Sequence, residues 1–132
     1  MCIGKFTSKY SEQLYVVFRI VVGVMFFMHG LMKFGIPGGQ ANAVTSLMGV
    51  AGIVEILVGL GLIVGMFSRL AAIGGIITML VGYFMVHFPQ GFNPLVNKGE
   101  LALLYLVCFL VILGKGNGKA SLEQAVLNKE MC

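Results

Sequence analysis

Five ionisable side chains stand inside otherwise apolar sequence: Arg19, His29, Glu55, His87 and Glu100. Histidine and glutamate exchange protons and hydrogen-bond polar headgroups, so the set suits proton-coupled chemistry or capture of an amphipathic ligand. Two histidines and two carboxylates are also metal-donor types. No HxxH or ExxH spacing puts two of them on one helix face, however, and no metal is assigned. Walker, dinucleotide-binding glycine, CxxCH haem and Ser-His-Asp patterns are missing, and no nucleophile for covalent catalysis stands out. The sequence assigns no catalytic residue.

Each of the five also has a structural alternative. Arg19 either snorkels to headgroups or pairs with Glu55. His29 would hydrogen-bond a helix backbone or Glu55, while His87 and Glu100 would simply reside at an interface. Glu55 is the hardest to dismiss, because a carboxylate deep in hydrocarbon is costly without a partner or a task. It is the first choice for function.

The elements that must position these groups follow from composition. Of 132 residues, 58% are hydrophobic and only 11% charged, with a mean hydropathy of +0.97. Soluble domains carry about 25% charged residues, and a chain this short cannot hide so much apolar surface in one water-soluble core. Lipid is the solvent that fits. The net charge of +4 comes from scattered lysines and arginines with no basic stripe, which argues against nucleic acid and for topology and lipid headgroups.

The sequence predicts an all-α fold, an integral membrane four-helix bundle occupying residues 1–132 as one domain. The expected spans are about 14–35, 47–67, 70–88 and 94–114, each near the ~20 residues that cross the hydrocarbon core; residues 115–132 form a tail. The fourth is weakest, its uninterrupted apolar run being Leu101 to Leu113. Residues 36–42 are turn chemistry, Ser68-Arg69 is the polar pair of a tight hairpin, and Pro89 and Pro94 close one helix and open the next. Ser121 to Leu127 reads as a short capped surface helix. Met1 to Lys5 does not look like a signal peptide, so the first span is read as retained. Lys5, Lys9, Arg69, Lys115, Lys119 and Lys129 would share one side and Lys33 and Lys98 the other, which places both termini in the cytoplasm of a multi-pass plasma-membrane protein.

On that topology His29 lies ~8 Å, and Glu55 ~12 Å, below the outer ends of their helices. His87 and Glu100 sit at the outer ends of the third and fourth. Arg19 is ~10 Å deeper than Glu55, a gap two long side chains can largely close. Gly23, Gly30, Gly52, Gly59 and the GxxxG run Gly61 to Gly65 allow close helix approach, either within one bundle or on a homodimer face. The three cysteines, Cys2, Cys108 and Cys132, form no metal or disulfide framework; a pairing of the two terminal ones is a minor alternative.

The order Arg19…Gly23, His29-Gly30…Lys33, Glu55…Gly59…Gly61 and Ser68-Arg69 resembles the DoxX family. His87 to Phe92, Gly99-Glu100, and Gly114…Gly116…Gly118 with Ser121-Leu122-Glu123 extend the likeness from about Tyr15 to Leu127. The resemblance implies a four-helix membrane bundle and association with respiratory or redox complexes, since the family is named for a small subunit of a quinol oxidase and thiosulfate:quinone oxidoreductase system. Other members are linked to thiol and oxidative-stress handling, and distant relatives act as cargo receptors or assembly factors, so membership fixes no activity. The carried-over polar positions are Arg19, His29, Lys33, Glu55, His87 and Glu100, none of them catalytic throughout the family; Cys2 and Cys132 fall outside its pattern.

Two functions compete. In the first, a quinone or similar amphipathic cofactor has its head against His29, Glu55 and Arg19 and its tail between the spans, with a partner protein supplying electrons. In the second, the chain is a non-enzymatic accessory protein of a larger membrane complex, its polar residues only locking the bundle. A small channel is weaker, because four short helices leave little room for a pore and no inverted repeat is evident.

Overall fold

The computed structural model describes residues 3–128, and these are all-α. Cys2 and Cys132, and with them the terminal pairing, lie outside the described residues. Six α-helices follow one another: α1 (Ile3–Lys9), α2 (Ser11–Met32), α3 (Leu47–Val64), α4 (Ser68–Gly82), α5 (Glu100–Lys115) and α6 (Leu122–Leu127). A π-helical turn, Tyr83–His87, and a 3-10 turn, Phe88–Gln90, extend α4 without a break. Three segments are long and apolar enough to cross a membrane: Ser11–Met32, Leu47–Val64 and Ser68–Gln90.

Local chemistry sets the boundaries. Ser46 caps α3 by accepting a hydrogen bond from the Gly49 amide at 3.0 Å. Gly65 ends it in the left-handed region at φ 70°, its amide bonded to the Gly61 carbonyl. The hairpin expected at Ser68-Arg69 is made instead by Gly65 and Phe67, both at positive φ, and Ser68 already begins α4. The fourth apolar helix starts later than its sequence suggests, at Glu100 rather than Pro94. Asn93 and Asn97 turn the backbone first, their side-chain oxygens accepting from the Leu95 and Gly99 amides, and Lys98 takes a positive φ. This leaves α5 with 16 residues, ~24 Å at helical rise.

Helices α2 to α5 pack in sequence, each reversing direction. Phe26 of α2 meets Phe109 and Tyr105 of α5 at ring separations of 4.8 and 5.3 Å, which brings α5 back against α2. The core holds Tyr15, Val22, Phe26, Val58, Leu62, Ala72, Tyr105, Phe109 and Ile112. The exterior is the reverse of a soluble protein's. Leu57 is 63% exposed and Leu104 59%, while Arg19 and Glu55 are 1% and 3% exposed. Apolar residues outside and ionised ones inside fit a hydrocarbon solvent.

The helical glycines settle the close approaches. A Cβ on Gly59 would lie 2.7 Å from the Gly23 carbonyl oxygen, and one on Gly30 2.7 Å from that of Gly52. Both pairs belong to the α2–α3 seam, so these glycines serve packing inside the chain. Gly65 of the GxxxG run is covered by Ser121 and Arg19. Gly59→Ala and Gly30→Ala are therefore expected to lose about 1–3 kcal/mol each by overpacking. Gly114→Ala, with nothing within 4 Å of the new methyl, should hold or gain slightly through helix propensity. Unfolding titrations in mixed micelles read the difference; equal effects at Gly59 and Gly114 would refute the seam.

Candidate functional site

Two polar clusters occupy opposite ends of the packed helices. At the end away from the termini, Lys33 Nζ donates to both Glu55 carboxylate oxygens, at 2.8 and 2.7 Å. Side-chain exposure is 18% for Lys33 and 4% for Glu55. The pair forms part of the wall of a cavity of about 340 Å³, otherwise lined mainly by apolar residues of α3, α4 and the π turn such as Val54, Ile77 and Met85, together with Thr78 and His87.

This corrects the expected pairing of Arg19 with Glu55. In an α-helix each Cα–Cβ bond leans toward the N-terminus. On antiparallel α2 and α3, Arg19 and Glu55 therefore lean apart, whereas Lys33 leans back along α2 toward Glu55 as Glu55 leans toward it. Lys33, which the sequence offers only as a charge on the far side and a family position, is the counter-ion.

His87 reaches the same cavity from the π turn. Its Nδ1 lies 3.0 Å from the Asn97 carbonyl oxygen. Asn97 is fully buried, donating to the Gly91 carbonyl at 2.8 Å and accepting from the Gly99 amide at 2.8 Å. Inserted π turns recur at functional sites, and here the turn brings Met85, Val86 and His87 together onto the cavity wall.

The remaining expected site residues fall elsewhere. His29 is half-buried, edge-on to the Tyr105 ring at 5.7 Å. The Tyr105 hydroxyl is itself buried with no hydrogen-bond partner. Glu100 is exposed at the first turn of α5, where a carboxylate complements the helix dipole. Thus Glu55 and His87 share the cavity with Lys33, whereas His29, Arg19 and Glu100 are not among the residues that line it. Among the described residues no group of three or more His, Cys, Asp or Glu side chains is placed to hold a metal ion.

Arg19 anchors the second cluster, at the end carrying both termini. Its guanidinium donates to the carbonyls of Leu62 (2.9 Å), Ala120 (2.8 Å) and Asn117. Glu123, fully buried, accepts from the Phe67 amide at 3.1 Å and from the Asn117 side chain, whose oxygen accepts from the Ser68 amide. The short helix α6 is present and capped by Ser121 as expected, but it carries a buried anchor and is not merely a surface helix. A cation thus sits at the last turn of α3 and an anion at the first turn of α4, each matched to the helix dipole it faces. The burial of Asn117 and Glu123 was not legible in sequence, because both lie in a polar segment that looks solvated. The Ser121-x-x-Gln124 cap was the only local signal there, and it reports a helix start, not its burial.

Comparison with known proteins bears on the same residues. The DoxX family model matches residues 14–88, which contain Arg19, His29, Lys33, Glu55 and His87. An uncharacterized protein of Haemophilus influenzae is 36% identical over 130 residues, covering 92% of this chain and 97% of its own length. A second from that organism is 32% identical over 65 residues, or 49% of this chain and 43% of its own. No solved structure matches the chain. With a family model spanning more than half of its length, a relative aligned almost end to end, and three membrane-crossing helices, the chain belongs to the DoxX family and is a multi-pass membrane protein, consistent with the plasma membrane.

Proposed function

We propose that this protein is a redox- or respiration-associated membrane subunit that binds a quinone or similar amphipathic ligand in the cavity walled by Lys33, Glu55 and His87. One observation carries the reading: a doubly hydrogen-bonded ammonium–carboxylate pair lines a cavity whose wall is otherwise mainly apolar. Desolvating two charges is expensive even when they are paired, and ionised groups at membrane depth mark functional sites by default. The cavity volume of about 340 Å³ falls within the ~300–1,000 Å³ typical of small-molecule sites. The charged pair and His87 would meet the polar head, and the Val, Ile and Met walls the tail. Electrons would come from a partner protein, since this chain carries no haem, flavin or iron–sulfur motif.

In this reading α5 is a fourth crossing, with local bilayer thinning accommodating its length. Lys5, Lys9, Arg69, Lys115 and Lys119 then share one side against Lys33 and Lys98, which puts the end carrying the termini in the cytoplasm.

Native mass spectrometry of the detergent-purified protein and its Glu55→Gln variant tests the site. A quinone or other lipid-like ligand should co-purify with the wild type and be lost from the variant. An empty wild-type protein, with the variant in the same state, would discard the ligand site and favour an accessory role in a larger complex.

A further inference from the structure

The polar wall of the cavity has a definite donor and acceptor pattern, and it selects among amphipathic ligands. A backbone carbonyl only accepts, so the contact between His87 Nδ1 and the Asn97 carbonyl requires Nδ1 to carry a hydrogen. In the neutral ring Nε2 then keeps its lone pair and acts as an acceptor. The arrangement is fixed from behind. Asn97 is buried and tied through its side chain to Gly91 and Gly99, and the Tyr83 ring lies 6.3 Å from that of His87. Among the described residues Nε2 has no hydrogen-bond partner. Lys33, for its part, spends two N–H groups on the two Glu55 oxygens and retains a third.

The geometry points to a ligand whose head carries a hydroxyl, which donates to Nε2 of His87. This rests on the cavity being the ligand site, and it narrows the ligand to amphiphiles with a phenolic or hydroquinone-type head. A head bearing carbonyls alone would answer the Lys33 donor and leave Nε2 unmatched. A hydroxyl answers Nε2 and still offers its own oxygen to a donor. His87 is then a specificity-determining residue, and the π turn that carries it sets the preference for a protic head.

The test compares para-nonylphenol with its methyl ether on the full chain in detergent micelles, by calorimetric titration, with each affinity referred to its mole fraction in the micelle. The two probes share chain and ring and differ in the O–H. Wild type should prefer the phenol by about 10-fold or more, because an analogue that cannot fill a built hydrogen-bond position is rejected. His87→Gln supplies an amide to the Asn97 carbonyl and an oxygen to the ligand, and should keep part of the preference. His87→Phe should lose it. Equal affinities in wild type, or a preference surviving in His87→Phe, would overturn the assignment. Should His87→Phe not fold, the wild-type ratio still decides. If neither probe binds, the cavity reading falls as well; equal binding of both removes only the hydroxyl.

Discussion

Arg19→Met is expected to cost roughly 3 kcal/mol or more of bundle stability and to release residues 117–127 while α2, α3 and α4 stay helical. Arg19 is 1% exposed, and its guanidinium satisfies three carbonyls, from Leu62, Asn117 and Ala120. The Leu62 carbonyl belongs to the last turn of α3, where helix geometry leaves acceptors unpaired. The other two belong to the segment that carries Glu123 beneath the α3–α4 hairpin. Methionine fills similar volume but donates nothing, so all three carbonyls lose a partner, and those of the buried Leu62 and Asn117 lose it away from water, where desolvation is not recovered. Arg19→Lys should fall between the two, since a single ammonium cannot fork toward three diverging acceptors. Limited proteolysis of the C-terminal segment, with helix content followed by circular dichroism, reads the effect. A variant that melts with wild type and resists cleavage would show that the guanidinium is dispensable.

The same cluster marks where sequence reading succeeds and where it stops. Helices α2, α3 and α4 were legible because hydrophobic length in lipid leaves few alternatives: counting the turns that extend α4 to Gln90, each runs within about three residues of the span that sequence gives it at either end. Polar partners were less so. Depth along the helix put Arg19 within reach of Glu55, but depth says nothing about side-chain lean, and the lean decides in favour of Lys33. Lys33 was visible as a charge flanking the first span; its role depended on a tertiary contact 22 positions away in the chain. The start of α5 was misjudged because Pro94 is a good first-turn residue, whereas Asn97 and Lys98, which delay the helix, act through turn hydrogen bonds and a positive φ. Tyr105 gave no signal at all, an aromatic in an apolar run being ordinary core. Among the candidate site residues, Glu55 and His87 stand out in sequence as ionisable groups within or at the end of an apolar span, but their meeting at one cavity depends on a π turn that periodicity does not report.

The ion pair yields the second large effect, and its form separates structure from function. Lys33→Met should destabilise the protein by about 3 kcal/mol, because it leaves the Glu55 carboxylate, only 4% exposed, without its counter-ion. Glu55→Leu should cost less. Lys33 sits at the end of α2 with 18% of its side chain exposed, and its long stem lets the ammonium swing to the headgroups once the carboxylate is gone. Combining the two should return stability close to wild type, since apolar replacement of both members of a buried pair is often neutral or favourable. A non-additive cycle of this sign would establish the pair in the membrane-embedded protein; a Lys33→Met cost within the ~0.5 kcal/mol scatter of surface substitutions would dismiss it. The stable double variant then asks the functional question without the confusion of misfolding. If the pair exists to hold a ligand head, Lys33→Met/Glu55→Leu will fold and yet purify empty. If it still carries the wild-type ligand, the charges serve only to join α2 to α3, and recognition must lie with His87 and the apolar wall alone.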